Sequence, residues 1–61
     1  MILVHYLEML PINGNLIKNE IFELCDDQFK VQRNLSAKQA ARKLKSMHKV
    51  YHKDNTAIYQ Q

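Results

Sequence analysis

The chain has 61 residues, a formal net charge of +3 and one cysteine, and 46% of its residues are hydrophobic. This length excludes a second domain, so we treat residues 1–61 as one small domain, which buries only about 60% of its unfolded surface. A single cysteine excludes an intrachain disulfide and favours a reducing compartment, either cytoplasmic (nucleoid-associated) or nuclear.

The apolar opening of the chain, residues 1–10, predicts neither a secretion signal nor a membrane span. It lacks a basic flank and a small-residue cleavage site, and it contains His5 and Glu8. It is also about half as long as the roughly 20 residues that a helix needs to cross a bilayer. We therefore expect no membrane partner.

The first predicted element is a helix at residues 2–10. It ends before Pro11, which cannot continue a helix, and it carries four apolar residues at i, i+3, i+4 and i+7: Leu3, Tyr6, Leu7 and Leu10. The segment ILVHYL is also rich in β-branched and aromatic residues, so a strand is the alternative.

A turn and a second helix are predicted next. Asn13 and Gly14 tolerate positive φ, and Asn15 is a candidate cap for a helix at residues 16–27. That helix has an acidic outer face and an apolar pattern formed by Ile17, Ile21 and Leu24, with Cys25 beside them.

The third predicted helix begins at a capping box. The Ser36 hydroxyl is placed to accept from the Gln39 amide, while the Gln39 side chain reaches back to the Ser36 amide. A rotation of 100° per residue then separates two faces. The inner face consists of Ala37, Ala40, Ala41, Leu44 and Met47, and the outer face of Lys38, Gln39, Arg42, Lys43, Lys45 and Ser46. Before this helix, the alternation of Phe29 and Val31 with Lys30 and Gln32 predicts a short extended segment.

The end of the chain predicts a β-hairpin. Strands at residues 49–53 and 56–60 flank Asp54 and Asn55, which tolerate left-handed conformations in a two-residue turn. In that register Tyr51 faces Ile58 and Val50 faces Tyr59, and we expect both tyrosines in a minor core. The alternative is a longer third helix, because Tyr51 also falls on the apolar stripe that contains Leu44 and Met47.

Charge is divided unevenly along the chain. Residues 1–29 contain five acids and one lysine, whereas residues 30–61 contain eight bases and one acid. An ordinary solvated helix face intersperses Glu with Lys, but no acid lies between Gln28 and Lys53. We interpret the basic half as a contact surface for a polyanion. The other interpretations are a solvated face and simple attraction between the two halves.

The chemistry of the basic residues favours duplex DNA as the polyanion. Lys and Arg neutralise phosphates and release counterions, while Gln39 is suited to adenine and Arg42 to guanine. The predicted DNA-binding residues are Arg33, Lys38, Gln39, Arg42, Lys43, Lys45, Lys49, Lys53 and Asn55.

The order helix, helix, helix, hairpin, with a basic face on the third helix, resembles the winged helix-turn-helix family of DNA-binding domains. The resemblance implies a mainly α fold of three short helices with a C-terminal β-hairpin. It also implies that the third helix enters the major groove through Lys38, Gln39, Arg42 and Lys43. The hairpin would then act as a wing, with Lys53 and Asn55 at its tip.

Two functions from different classes follow from these observations. The first is a small DNA-binding protein, either a transcriptional regulator or a DNA-associated accessory factor. The alternative is a protein-interaction module, an inhibitor or adaptor that docks through the acidic second helix or the basic third helix. A homodimer is also expected to be possible through Ile2, Val4 and Met9, which lie outside the main apolar stripe of the first helix.

Catalysis has little support in the sequence. The chain has no Gly-rich phosphate loop, no GxSxG and no HExxH motif, so we expect no enzyme, no cofactor and no small-molecule substrate. His48 and His52 are four residues apart, a spacing that places them on one side of a helix or strand, and Cys25 is a conceivable third ligand. Without a CxxC pair or a fourth ligand, we expect no metal site.

Overall fold

The structure is a computed structural model that describes residues 1–28 and 31–61. Within these ranges, five strands form one antiparallel sheet and one helix lies on it. The elements in chain order are β1 (Ile2–Ile12), β2 (Asn15–Cys25), β3 (Val31–Gln32), α1 (Ala37–Leu44), β4 (His48–Lys53) and β5 (Thr56–Gln60). The strand order across the sheet is β3, β2, β1, β5, β4, so β1 is central while β3 and β4 are edges.

The mainly α fold class, and with it the resemblance to the winged helix-turn-helix family, is wrong. Residues 2–10 and most of residues 16–27 form strands, and Asn15 begins β2 instead of capping a helix. Helical spacing is misleading here because both faces of β1 carry apolar side chains, so the same residues satisfy either period. The β-branched and aromatic content and the Asn-Gly turn decide in favour of the strand alternative.

A two-residue turn joins β1 to β2. Asn13 and Gly14 have φ of 50° and 76°, which confirms the predicted turn, because a type I′ hairpin needs positive φ at both central residues. Ile12 consequently pairs with Asn15, and the register continues as far as Ile2 opposite Cys25. Residues 11–20 are all exposed, because this end of the hairpin extends beyond the neighbouring strands β3 and β5. We call residues 11–20 the hairpin arm.

The helix α1 packs against part of one face of the sheet, which we call the helix face. The core on this face contains Leu3, Leu24, Leu35 and Ala40. The Leu35 amide donates to the Phe22 carbonyl at 3.2 Å, which ties the start of the helix to β2. The helix and this face of the sheet therefore share a small core.

The capping box predicted for the helix is confirmed. The Gln39 amide donates to Ser36 Oγ at 3.2 Å, and the Ser36 amide donates to Gln39 Oε1 at 3.1 Å. Of the predicted inner face, Ala40 is buried and Leu44 and Met47 pack against the core, but Ala37 and Ala41 are exposed. A helix of eight residues contacts the sheet along one narrow stripe. Within the described ranges, no helix is long and apolar enough to span a membrane.

The C-terminal hairpin is confirmed, although part of its predicted register is wrong. Tyr51 pairs with Ile58 as predicted, but a bulge at Val50 brings Lys49 opposite Tyr59. Tyr59 packs against the core, whereas Tyr51 is 48% exposed on the edge strand.

The predicted extended segment before the helix is partly described. Its second half forms β3, whose Val31 and Gln32 pair with Cys25 and Leu24 of β2. Phe29 and Lys30 lie outside the described residues.

The other face of the sheet has no helix over it among the described residues, and we call it the open face. Cross-strand pairing places Tyr6 beside Ile21 there, with Val4 beside Ile58. The Tyr6 hydroxyl donates to Glu23 Oε1 at 2.9 Å, and Arg33 Nε lies 3.8 Å from the same oxygen. This small polar network lies beside the apolar side chains of Val4, Ile21 and Ile58.

We expect Leu3→Ala to destabilise the protein strongly. Leu3 is fully buried, so its truncation leaves a cavity and should lower the free energy of unfolding by about 2–5 kcal/mol. The matched control is Leu16→Ala, because Leu16 is 69% exposed on the hairpin arm and its truncation should cost less than about 0.5 kcal/mol. Urea unfolding of both variants measures the difference, and equal losses would contradict the assigned core.

Tyr6 should give the protein a distinct alkaline response. Its hydrogen bond to Glu23 favours the protonated phenol and raises the pKa of Tyr6 above 10.0. A folded pKa above the unfolded one means that this stabilisation is complete below pH 10.0 and is lost as pH rises through the folded pKa. Tyr6→Phe should therefore reduce the alkaline fall in unfolding free energy, measured by urea titration across pH. Tyr51→Phe on the exposed edge is the control and should keep the wild-type profile, and the idea fails if both variants behave alike.

Candidate nucleic-acid interface

The outer side of α1 carries a stripe of cations. Lys38, Arg42 and Lys45 are spaced at i, i+4 and i+7, on the side of the helix opposite Ala40 and Leu44. The capping box fixes where the helix begins, and it therefore fixes which side chains point away from the sheet. All three cations are exposed.

A cleft of about 470 Å³ lies beside this stripe. Lys43 and Arg42 line it from the helix, and the residues that complete its lining are Met1, Gln32, Leu35, Gln39, Ser46 and Gln61. Carboxamide groups next to two cations are suited to phosphate oxygens and to other anionic or polar groups. The Ser46 hydroxyl, in contrast, donates to the Lys43 carbonyl at 3.2 Å. The cleft thus extends the cationic surface toward the edge of the sheet at β3.

Lys49 adds a cation from β4 on the same side of the molecule. It pairs with Tyr59, which packs against the core on the helix face, and its Nζ lies 5.9 Å from the centre of the Tyr59 ring. This cation–π contact holds the Lys49 side chain over the helix face. We call the exposed cations Lys38, Arg42, Lys43, Lys45 and Lys49 the basic face.

The cations of the basic face have no carboxylate partner among the residues that the structure describes. Across residues 1–28 and 31–61, the basic groups within 4.0 Å of a carboxylate are the Met1 amino group beside Asp27, the His5 imidazole beside Glu20 and Arg33 beside Glu23. None of these pairs includes a cation of the basic face, and only the Arg33 pair joins the basic half to the acidic half. Simple attraction between the two halves therefore does not explain the concentration of charge on the basic face.

Four other predicted site residues have different surroundings. Arg33 is paired with Glu23 on the open face, and Lys53 lies on that face too, opposite Thr56 at the far end of β4. The Asn55 carbonyl accepts from the Leu7 amide at 3.3 Å. Gln39 lines the cleft, but its Oε1 accepts from the Ser36 amide. Arg33, Lys53 and Asn55 therefore lie apart from the basic face.

The two histidines considered as metal ligands are on opposite faces of the sheet. His48 lies opposite Gln60 and His52 opposite Ala57, because the bulge at Val50 shifts the alternation of side chains by one residue. The expectation that both lie on one side is therefore wrong. In the part of the chain that the structure describes, no three His, Cys, Asp or Glu residues are placed to share a metal ion.

Sequence reasoning missed Gln32 and Gln61 in the lining of the cleft. Gln61 reaches it because β5 pairs with β1, and the Gln61 amide donates to the Met1 carbonyl at 3.3 Å. Gln32 reaches it because β3 pairs with β2. Both positions depend on pairing between distant segments, and no local motif signals it.

Compared with protein families, with curated protein sequences and with solved structures, the chain shows no match in any of the three. Inference about its function therefore rests on the residues and geometry described above.

Proposed function

We propose that this protein binds duplex DNA through its phosphate backbone, using the basic face formed by α1 and Lys49. The observation that carries the proposal is the set of five exposed cations that lack a carboxylate partner among the described residues. Unpaired cations on one surface attract a polyanion, and they gain free energy by displacing its condensed counterions.

Backbone contacts account for most of the proposed affinity. If all five cations contact phosphates, log affinity should fall with log salt with a slope no steeper than about −4.5, at roughly −0.9 per contact. Of the two residues suited to reading bases, Arg42 is free to pair with guanine, whereas Gln39 is engaged at the helix start. These contacts favour a DNA-associated accessory factor over a sequence-specific transcriptional regulator. A binding protein of this kind, with its single thiol, belongs in the cytoplasm (nucleoid-associated) or the nucleus.

The double variant Arg42→Gln, Lys43→Gln tests this proposal. Both side chains are exposed, and glutamine has a helix propensity close to that of the residues it replaces, so the free energy of unfolding should change little. Loss of two phosphate contacts should flatten the salt slope by up to about 1.8 units. Fluorescence anisotropy with a labelled duplex over a series of salt concentrations measures this slope.

The matched control is Lys18→Gln, which removes a cation from the exposed hairpin arm and not from the basic face. It should leave the salt slope within error of the wild-type value. The proposal would be wrong if the folded double variant kept the wild-type slope, or if the wild-type protein did not bind duplex DNA at low salt. The second result would favour the alternative of a protein-interaction module that docks on an acidic partner.

A further inference from the structure

The open face leaves an apolar surface without a cover among the described residues. Side chains there include Ile2, Ile17 and Tyr51, which are 39%, 45% and 48% exposed, and the half-buried Val4 and Ile58. A sheet of this kind normally has one face on a core and a polar face in water. Here the open face carries exposed apolar side chains as well as charged ones, although the helix lies on the opposite face.

The total accessible surface of the chain is larger than a monomer of its size should expose. It measures 4877 Å², whereas a compact monomer of 7.2 kDa exposes about 4,100 Å². The excess of about 750 Å² is close to the roughly 800 Å² that each partner buries in a standard interface. Contact with one further copy of the chain would bury about this area.

The charge distribution favours the open face over the helix face as the contact between copies. Two basic faces brought together would repel each other, but they lie on the other side of the sheet. The formal charges of Glu8 and Glu23 at the open face are equal and opposite to those of Arg33 and Lys53, so these four residues add no net charge. Glu23 also already accepts a hydrogen bond from Tyr6, so its burial would not leave the carboxylate unpartnered.

We propose that two copies of this chain form a homodimer by packing their open faces together. The arrangement is a sheet-on-sheet interface with two-fold symmetry, in which the two sheets lie about 10 Å apart and the same apolar residues of each copy line the interface. It leaves both helices and both basic faces on the outer surfaces of the dimer. The inference does not rest on DNA binding, and its test contains no nucleic acid.

Sedimentation of the full chain between about 1 and 100 µM tests the dimer, because interfaces of this size have dissociation constants from micromolar to picomolar. The expected result is a concentration-dependent species with twice the monomer mass of 7.2 kDa. A clean monomer throughout the range, or a species larger than a dimer, would overturn the proposal.

Two neighbouring substitutions test which face forms the interface. Ile17→Lys places an ammonium on the open face and should weaken dimerisation by about tenfold or more, because the charge would be buried without a partner. Leu16→Lys introduces the same charge one residue earlier, on the other face of the strand, and should leave the dissociation constant unchanged. Circular dichroism confirms that both variants keep their strands. Equal weakening by both variants, or no weakening by Ile17→Lys, would also rule out the proposed interface.

Discussion

Positive φ at two consecutive residues, Asn13 and Gly14, is the constraint on which the rest of the structure depends. The turn fixes the register of β1 against β2, and this register places Leu3 opposite Leu24 on the helix face. A slip of one residue would move Leu3 to the open face and remove the surface against which α1 packs. β5 then pairs with the free edge of β1, and β3 pairs with the free edge of β2.

Three local signals in the sequence predict local features correctly. The Asn13-Gly14 turn, the capping box at Ser36 and the pairing of Tyr51 with Ile58 each depend on residues close together in the chain. The prediction that the first two elements are helices is wrong, although the β-branched residues of β1 and the Asn13-Gly14 turn are local signals for a hairpin. Leu3, Tyr6, Leu7 and Leu10 fit a helical period only because apolar side chains lie on both faces of β1. The bulge at Val50 has no signal in the local sequence, and it separates His48 from His52.

In the candidate site too, some features follow from neighbouring residues and others depend on contacts between distant segments. The capping box predicts where α1 begins, so the outward stripe of Lys38, Arg42 and Lys45 follows from the amino-acid sequence alone. The pairing of Arg33 with Glu23 does not, because it depends on the position of β2 relative to the segment that precedes the helix. The resulting molecule has a basic surface on one side and an apolar surface on the other. Binding to a polyanion and pairing of two copies would therefore use opposite sides of the sheet and would not compete.

The conformation of Gly14 provides the most direct test of this constraint. The chain is short enough for chemical synthesis with either enantiomer of alanine at position 14, where an added L-Cβ would have no neighbouring atom within 4 Å. L-alanine is strained at φ of 76° and should lower the free energy of unfolding by about 1–2 kcal/mol. D-alanine favours positive φ and should leave that free energy unchanged or raise it by up to about 1 kcal/mol. Equal destabilisation by both enantiomers in urea unfolding would contradict the claim that the turn sets the register of the sheet.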